Sequence, residues 1–326
     1  MKVSVLMTTY NGEKYIYEQL ESIRLQSRQA DEVIICDDCS KDQTVDIIKE
    51  FIYKNGLVNW TLYQNKENKG WRRNFIEGLQ YISGDVIFFS DQDDIWLTHK
   101  IEKMAGIMEK SKQIHCLAGT LIRVDGEGKE FEKQKEYSEG LQEYSKKRFS
   151  FSKKFNTLIL LGCVMCISRR LANMLIAIGE VNFGHDAQSC RLGEILDGTV
   201  LVDFPVIQYR MHENNTSGVI MNASFGASNL DRRINDIKSN IQWLNKVLQY
   251  EREDGLENQK LAIIENTIKM QEKRLKYLNK PNFFTYITLL KYISYYSGIS
   301  MYLGDWAYAH NMNKGLGNFY RKIKSN

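Results

Sequence analysis

Along the first third of the chain, apolar runs and amphipathic stretches take turns. Residues 3–9 (VSVLMTT) form an apolar run that stops at Asn11-Gly12, and the next segment sets Tyr15, Leu20, Ile23 and Leu25 on or near one helical face. The beat continues with EVIICDD at 32–38, a helical pattern over 42–54, VNWTLYQ at 58–64, a helical pattern over 71–82, DVIFFS at 85–90, and a helix from about Thr98 to Lys110. The strand segments are β-branched and continuously apolar, as strands covered on both faces are. Such alternation predicts an α/β, doubly wound, mostly parallel sheet. Ligands of such sheets bind at the carboxyl ends of strands. The polar residues there are Thr8, Thr9 and Tyr10 after the first strand, Asp37 and Asp38 after the second, and SDQDD (90–94) after the fourth.

Further along, residues 125–154 are charged with mixed sign and poor in aliphatics, and read as an exposed, mobile connection. Order returns with LILLGCVMCIS (158–168), a short helix, the loop FGHDAQ (183–188), a helix to about Leu196, and the strand TVLVDFPVIQYRMH (199–212). From about Ala227 the period changes. Leu230, Ile234, Ile237, Ile241, Leu244 and Leu248 recur at steps of four and three. After Asp254-Gly255 the pattern returns in Leu261, Ile264, Ile268, Leu275 and Leu278, with polar Gln271 on the seam. Two antiparallel helices packed along that seam are predicted. Pro281 opens a tail rich in Tyr, Phe and Trp, flanked by Lys276, Lys280, Lys291, Lys314, Arg321, Lys322 and Lys324.

Composition changes this picture little. The 326 residues are 43% hydrophobic and 26% charged, as in globular proteins with a sizeable core. The net charge of +4 gives no reason to expect nucleic acid. The start of the chain reads as a first strand rather than a signal peptide, and no apolar stretch reaches the roughly 18–20 residues that span a bilayer. The expected compartment is the cytoplasm. Cys36/Cys39 and Cys163/Cys166 are two C-x-x-C pairs more than a hundred residues apart, read as buried reduced thiols rather than a zinc site.

The chemistry concentrates in FFSDQDDIW (88–96), where Asp91, Asp93 and Asp94 leave the most apolar strand of the chain. A turn, a cation site, or ligands for sugar hydroxyls are three uses of such a cluster. Carboxylates leaving a buried strand are costly unless something positive meets them. Oxygen ligands suit Mg²⁺ or Mn²⁺, which commonly bridge carboxylates to a diphosphate. Each polar position also has a purely structural use: Thr8 and Tyr10 can end a strand, Asp38 can cap the next helix, and Arg73 can lie solvated on a helix. Asp186 can cap its helix, while His185 and His212 can pack or hold a structural hydrogen bond.

VSVLMTTYNGEKYI, VIICDDCSKDQT, NKGWRRNF and the carboxylate cluster together resemble family 2 glycosyltransferases of the GT-A fold, over about residues 1–215. SDQDDIW, GHD (184–186) and YRMHENNTSG (209–218) look most like the bacterial rhamnosyltransferase-type branch. The resemblance implies a GT-A catalytic domain over 1–222, its nucleotide-sugar-binding half about 1–110 and its acceptor-side half about 111–222. An α-helical region fills 223–326. It implies that Thr8, Tyr10 and Asp38 line the base and ribose pocket, that Arg73 and Asn74 face the nucleotide, and that Asp91 lies toward ribose and diphosphate. Asp93 would be the main ligand of Mn²⁺ or Mg²⁺, with His212 as a late histidine on the metal or diphosphate. Asp186 matches the catalytic base, although the family more often shows Glu-Asp where this chain has His-Asp. Asp94, Trp96 and His185 are candidates for touching the acceptor or tuning the base.

The activity implied is inverting, metal-dependent transfer of a sugar, rhamnose first, from dTDP-rhamnose or a UDP-sugar. The acceptor would be a saccharide or lipid-linked saccharide of a bacterial surface polysaccharide. A UDP-hexose or UDP-HexNAc transferase of the same fold, a non-catalytic nucleotide-sugar-binding scaffold, and a nucleotidyl transferase are the competing readings. TTYNGEKY is a poor phosphate loop for the last of these. The aromatic tail suggests peripheral contact with the inner membrane face, and the helical seam alternatively a homodimer.

Overall fold

The computed structural model describes residues 1–131, 146–212, 230–310 and 312. They form two compact units: 1–150 with 158–212, and 151–157 with the chain from 213 onward. The expected boundary at 222/223 lies outside the described residues.

In the first unit, the apolar runs become β1 (Val3–Thr9), β2 (Glu32–Asp37), β3 (Trp60–Gln64) and β4 (Val86–Ser90). All four pair in parallel, in the order β3-β2-β1-β4. β1 and β4 are buried at every position, which is why their sequences lack polar alternation. Between them run α1 (Ile16–Arg24), α2 (Thr44–Lys54) and α3 (Trp71–Gly78), each burying one stripe, such as Ile16, Gln19, Leu20 and Ile23 on α1. The helix expected over 71–82 ends earlier, at Gly78, and continues as one 3₁₀ turn, Leu79–Tyr81.

The sheet then changes character. The two-residue β5 (Ile95–Trp96) and helix α4 (Lys100–Lys110) follow the aspartate cluster. Next come β6 (Cys116–Val124), β7 (Lys146–Phe149), β8 (Met165–Ser168), α5 (Arg169–Ile178), α6 (His185–Ile195) and β9 (Thr199–Arg210). β8 joins β4 and β6 in antiparallel fashion, β6 and β9 are parallel, and β5 and β7 are antiparallel to β9. The whole sheet is therefore mixed, with its parallel half made by β3, β2, β1 and β4. β6 and β5 went unrecognised in the sequence. β7 corrects the reading of 125–154 as all connection: KKRF pairs with Thr199–Val202, but its exposed side chains give no apolar signal. Residues 132–145 of that segment lie outside the described residues. The six cysteines are free thiols.

In the second unit, the periodic seam becomes a hairpin of α7 (Leu230–Asp254) and α8 (Asn258–Asn279). Ile234, Ile237, Leu244 and Leu248 are buried on α7, and Ile264, Ile268 and Leu278 on α8. The aromatic tail folds into α9 (Phe283–Thr288), a 3₁₀ segment (Leu289–Tyr295) and α10 (Ile299–Ala309). Its Leu289, Tyr296 and Tyr302 share a cluster with Met270, Tyr277 and Leu278 of α8. Inside this unit Asp305 has no solvent exposure and binds Arg274 at 2.7 Å, Arg233 at 2.7 Å and the Tyr296 hydroxyl at 3.1 Å.

Candidate active site

The loops at the carboxyl ends of β1, β2 and β4 are tied to one another by side-chain amides and carboxylates. Gln92 accepts the Tyr10 N–H at 2.7 Å and donates to the Tyr10 carbonyl at 3.0 Å, bridging the end of β1 to the aspartate loop. A Cβ on Gly12 would lie 2.4 Å from the Gln92 side-chain oxygen, so this approach requires glycine. Thr9 donates to Asp37 at 3.0 Å. Tyr10 keeps 44% exposure at the mouth, and Thr8 is buried beneath it.

Asp38 is used differently from the expectation that it holds the base edge. It is buried and accepts from Asn65 Nδ2 at 2.9 Å, the Lys69 N–H at 2.9 Å and the Gly70 N–H at 2.8 Å. These bonds occupy the carboxylate and pin the turn that delivers α3. Asn74 is likewise turned inward, donating to the Cys36 carbonyl at 2.8 Å and accepting from Asn65 at 2.9 Å. Of the NKGWRRN pair expected to face the nucleotide, only Arg73 stays half exposed, with Glu77 3.7 Å away.

The aspartate cluster divides by depth. Asp91 is partly exposed, and its carboxyl is pushed up to about 7 by burial and by the neighbouring Asp93 and Asp186 carboxylates, with Lys100 opposing. Asp93 reaches outward, its Oδ2 2.9 Å from Nε2 of His212, and that ring stacks on Tyr15 at 4.9 Å. Asp94 points inward at 1% exposure, where burial and the Asp93 and Asp91 carboxylates hold its pKa well above the ordinary range. Its Oδ1 accepts the Arg210 N–H at 3.4 Å and its Oδ2 has no hydrogen-bond partner. Two buried basic residues, Lys100 and Arg210, lie near this cluster. Lys100, 1% exposed, donates to the Cys163 carbonyl at 2.7 Å and sits 3.5 Å above the Trp96 ring. Burial pulls its pKa down to about 7 against the attraction of Asp94 and Asp91. Arg210, also buried, donates to the Asp93 carbonyl at 3.1 Å and to the Gly126 carbonyl at 2.9 Å, and its charge is paired with Glu18 at 2.5 Å.

Asp93 and His212, joined here by a hydrogen bond, have the donor atoms and spacing of two neighbouring ligands of a divalent ion. Ligand bonds near 2.1 Å in octahedral geometry separate adjacent ligands by about 3 Å, the spacing of Asp93 Oδ2 and His212 Nε2. A second group, Asp91, Asp94 and Cys163, brings its ligand atoms within 4.8 Å. Burial and the two carboxylates keep the Cys163 thiol protonated, and a soft thiol suits Mg²⁺ or Mn²⁺ poorly.

Asp186 lies in the first turn of α6, where its Oδ1 accepts the Ala187 N–H at 2.7 Å. Burial raises its pKa, with Arg191 and Arg72 pulling the other way. A Cβ on Gly184 would meet Asp186 Oδ1 at 2.3 Å and the Trp71 ring at 2.9 Å, so glycine lets the carboxylate and α3 close up. Beside it opens a cleft of about 320 Å³ lined by Lys69, Gly70, Trp71, Arg72, Arg73 and Val181.

Three expected acceptor-side contacts fall inside the protein instead. His185 is 3% exposed, with Phe75 at 3.8 Å, Phe89 at 4.4 Å and Trp71 at 6.2 Å from its ring, and neither ring nitrogen has a hydrogen-bond partner. Burial drops its pKa to about 3, so it is a neutral packing residue. Trp96 is buried under Lys100, and Asp94 faces the core. Sequence reasoning missed Lys100, Gln92 and Arg210. Lys100 could have been found, since it shares the inward stripe of α4 with Met104 and Ile107 at helical spacing.

A family model described as Glycosyl transferase family 2 matches residues 4–175, just over half of the chain. EpsE of Bacillus subtilis (strain 168) is 34% identical over 126 residues, 38% of this chain and 44% of that protein. The poly(ribitol-phosphate) beta-N-acetylglucosaminyltransferase TarS of Staphylococcus aureus (strain Mu50) is 40% identical over 96 residues, 29% of this chain and 16% of that one. The UDP-Glc:alpha-D-GlcNAc-diphosphoundecaprenol beta-1,3-glucosyltransferase WfgD of Escherichia coli is 34% identical over 109 residues, 33% of this chain and 42% of WfgD. These matches span less than half the length of each relative. The structure of S. aureus TarS 1-349 in complex with UDP-GlcNAc superposes with a TM-score of 0.60 at 18% identity, covering 99% of this chain and 92% of that one, a likeness of fold.

Proposed function

Because the chain belongs to glycosyl transferase family 2, we propose that it moves a sugar from a nucleoside diphosphate donor to an acceptor hydroxyl in bacterial surface-polysaccharide synthesis, with inversion at the anomeric carbon. The observation that carries this reading is the grouping of Asp91, Asp93 and His212 with Asp186 near enough to perturb Asp91. A phosphate-facing acid set and a separate buried carboxylate are what a single displacement needs. Asp93 and His212 would hold Mn²⁺ or Mg²⁺, with Asp91 beside them; when bound, the ion neutralises the charge that grows on the leaving diphosphate. Tyr10 would stack at the base and Arg73 would contribute positive charge to the nucleotide.

On the other face of the sugar, Asp186 takes the acceptor's proton. The acceptor oxygen bonds to the anomeric carbon, the bond from that carbon to the diphosphate oxygen breaks, and its electron pair leaves with the diphosphate. The raised pKa of Asp186 makes it a stronger base than an exposed aspartate. Arg72 and Lys69 in the adjoining cleft suit an acceptor bearing phosphate. That chemistry is common to the acceptors in the names of TarS and WfgD. A lipid-linked acceptor of this kind would bring the enzyme to the inner membrane face.

Donor identity has two supported forms. WfgD is named for UDP-glucose and TarS was solved with UDP-GlcNAc, which favours a UDP-sugar. The resemblance of SDQDDIW and GHD to rhamnosyltransferases favours dTDP-rhamnose. Thermal stabilisation by each donor, with Mn²⁺ or EDTA, separates them: a ligand at a hundred times its Kd adds about 2.7 kcal/mol. Asp186→Asn is expected to keep that shift and lose transfer by about 10²–10⁴-fold. An unchanged rate in this variant, or a shift insensitive to EDTA and to Asp93→Asn, would sink the assignment of base or metal.

A further inference from the structure

The tail of the second unit has two faces. On α10, Tyr302 and Asp305 turn into the helical core, whereas Ile299, Leu303 and Trp306 face out at 62%, 55% and 40% exposure. On α9 and the 3₁₀ segment after it, Leu289 is buried, whereas Phe283, Ile287 and Leu290 are exposed at 71%, 43% and 48%. The outward set on α10 runs i, i+4, i+7, the spacing of one helix face, and Phe284 adds a further exposed ring, at 81%, to the set on α9. An exposed apolar surface of this kind marks a place of interaction.

Charge identifies the partner. From Lys280 to the end of the chain the basic residues are Lys280, Lys291, Lys314, Arg321, Lys322 and Lys324, and the only carboxylate is Asp305. Asp305 is enclosed by Arg274, Arg233 and Tyr296, so it offsets none of that charge at the surface. Lys280 and Lys291 are exposed beside the outward apolar residues. Lys314 to Lys324 lie outside the described residues and contribute here through sequence alone. A second copy of this chain meeting the same face would set like charge against like charge. A bilayer carrying anionic headgroups satisfies both parts, with aromatic and aliphatic side chains entering the interface and lysines meeting the headgroups. No helix among the described residues is long and apolar enough to cross a membrane.

We propose that the outward faces of α9 and α10 seat the protein on an anionic lipid surface. The inference goes beyond the transferase reading and does not depend on it. The full chain is mixed with vesicles of phosphatidylcholine alone or with equal parts phosphatidylglycerol, and the sedimenting fraction is measured at low and high salt. Binding is expected to the mixed vesicles, weaker to the neutral ones, and reduced by salt. Ile299→Glu with Leu303→Glu should lower binding by about tenfold or more while leaving helicity and melting temperature unchanged, because both side chains are more than half exposed to water. A separate charge variant, Lys280→Glu with Lys291→Glu, should weaken binding to the mixed vesicles selectively. Failure of the full chain to bind either vesicle would overturn the proposal. So would binding that is indifferent to the apolar variant, or a concentration-dependent dimer that this variant abolishes in a protein that ignores lipid. The assay needs neither donor nor metal, so its failure leaves the transferase reading intact, and loss of donor binding leaves this one intact.

Discussion

His185 shows what burial does to a residue whose chemistry looks functional on paper. It stands beside Asp186, yet its ring lies among Phe75, Phe89 and Trp71, and a Cβ on Gly162 would sit 2.3 Å from its Nε2. The cage excludes water and the imidazole stays neutral, with a folded pKa near 3. The unfolded chain protonates this group near 6.5. Between those values the unfolded state binds the extra proton, so stability falls as pH falls from about 6.5 toward 3, by up to about 1.4 kcal/mol per pH unit. His185→Leu should flatten that acid limb, measured as urea midpoints across the window. An unchanged slope in the variant would place the acid sensitivity elsewhere. Asp186 next to it is only partly buried, because α6 starts at His185 and turns the two side chains apart.

Between elements, function depends on loops held in register by polar side chains. The irregular chain after β1 runs over residues 10–15 and that after β4 over 91–94, and Gln92 joins the two by bonding both backbone groups of Tyr10. Two hydrogen bonds of about 0.5–1.5 kcal/mol each hold Tyr10, proposed to stack on the base, against the aspartate loop. Gln92→Ala should therefore weaken donor binding by about tenfold, with little change in melting temperature. Titration calorimetry reads the first and a thermal melt the second; equal donor affinity would mean that the loops need no clamp. The same logic explains Asp38 and Asn74. Their side chains fasten the turn between β3 and α3 and so place Trp71, Arg72 and Arg73.

At the scale of the whole molecule, each unit carries its own electrostatic weak point. In the first unit it is His185. In the second it is Asp305, whose pKa the Arg274 and Arg233 guanidiniums hold below its ordinary value in spite of burial. Because the folded pKa is the lower one, this stabilisation is complete above the unfolded value of about 3.9 and is lost as pH falls through the folded one. Asp305→Asn should cost about 3–5 kcal/mol at neutral pH, since it strands Arg274 as an unpaired buried charge. Guanidinium melts followed by the helical signal would test this, and a cost under 1 kcal/mol would mean that Tyr296 and Gln271 compensate. The alternation of apolar runs was enough to determine the parallel half of the sheet, and the seam of Ile and Leu enough to determine the helical hairpin. Both follow from periodicities that each segment carries locally. Asp91 and Asp93 at the end of β4 were equally legible as candidates, because carboxylates at the exit of a buried strand are costly enough to stand out, whereas Asp186 in the first turn of α6 was marked by its GHD motif. Burial direction was not legible. Whether Asp94, Trp96, His185 and Asn74 face the ligand or the core depends on contacts between segments far apart in the chain, such as Lys100 with Cys163 or Asn74 with Cys36. A sequence records the residue that can bear a charge or donate a hydrogen bond; only tertiary packing decides whether that capacity is spent inside the protein or left for a substrate.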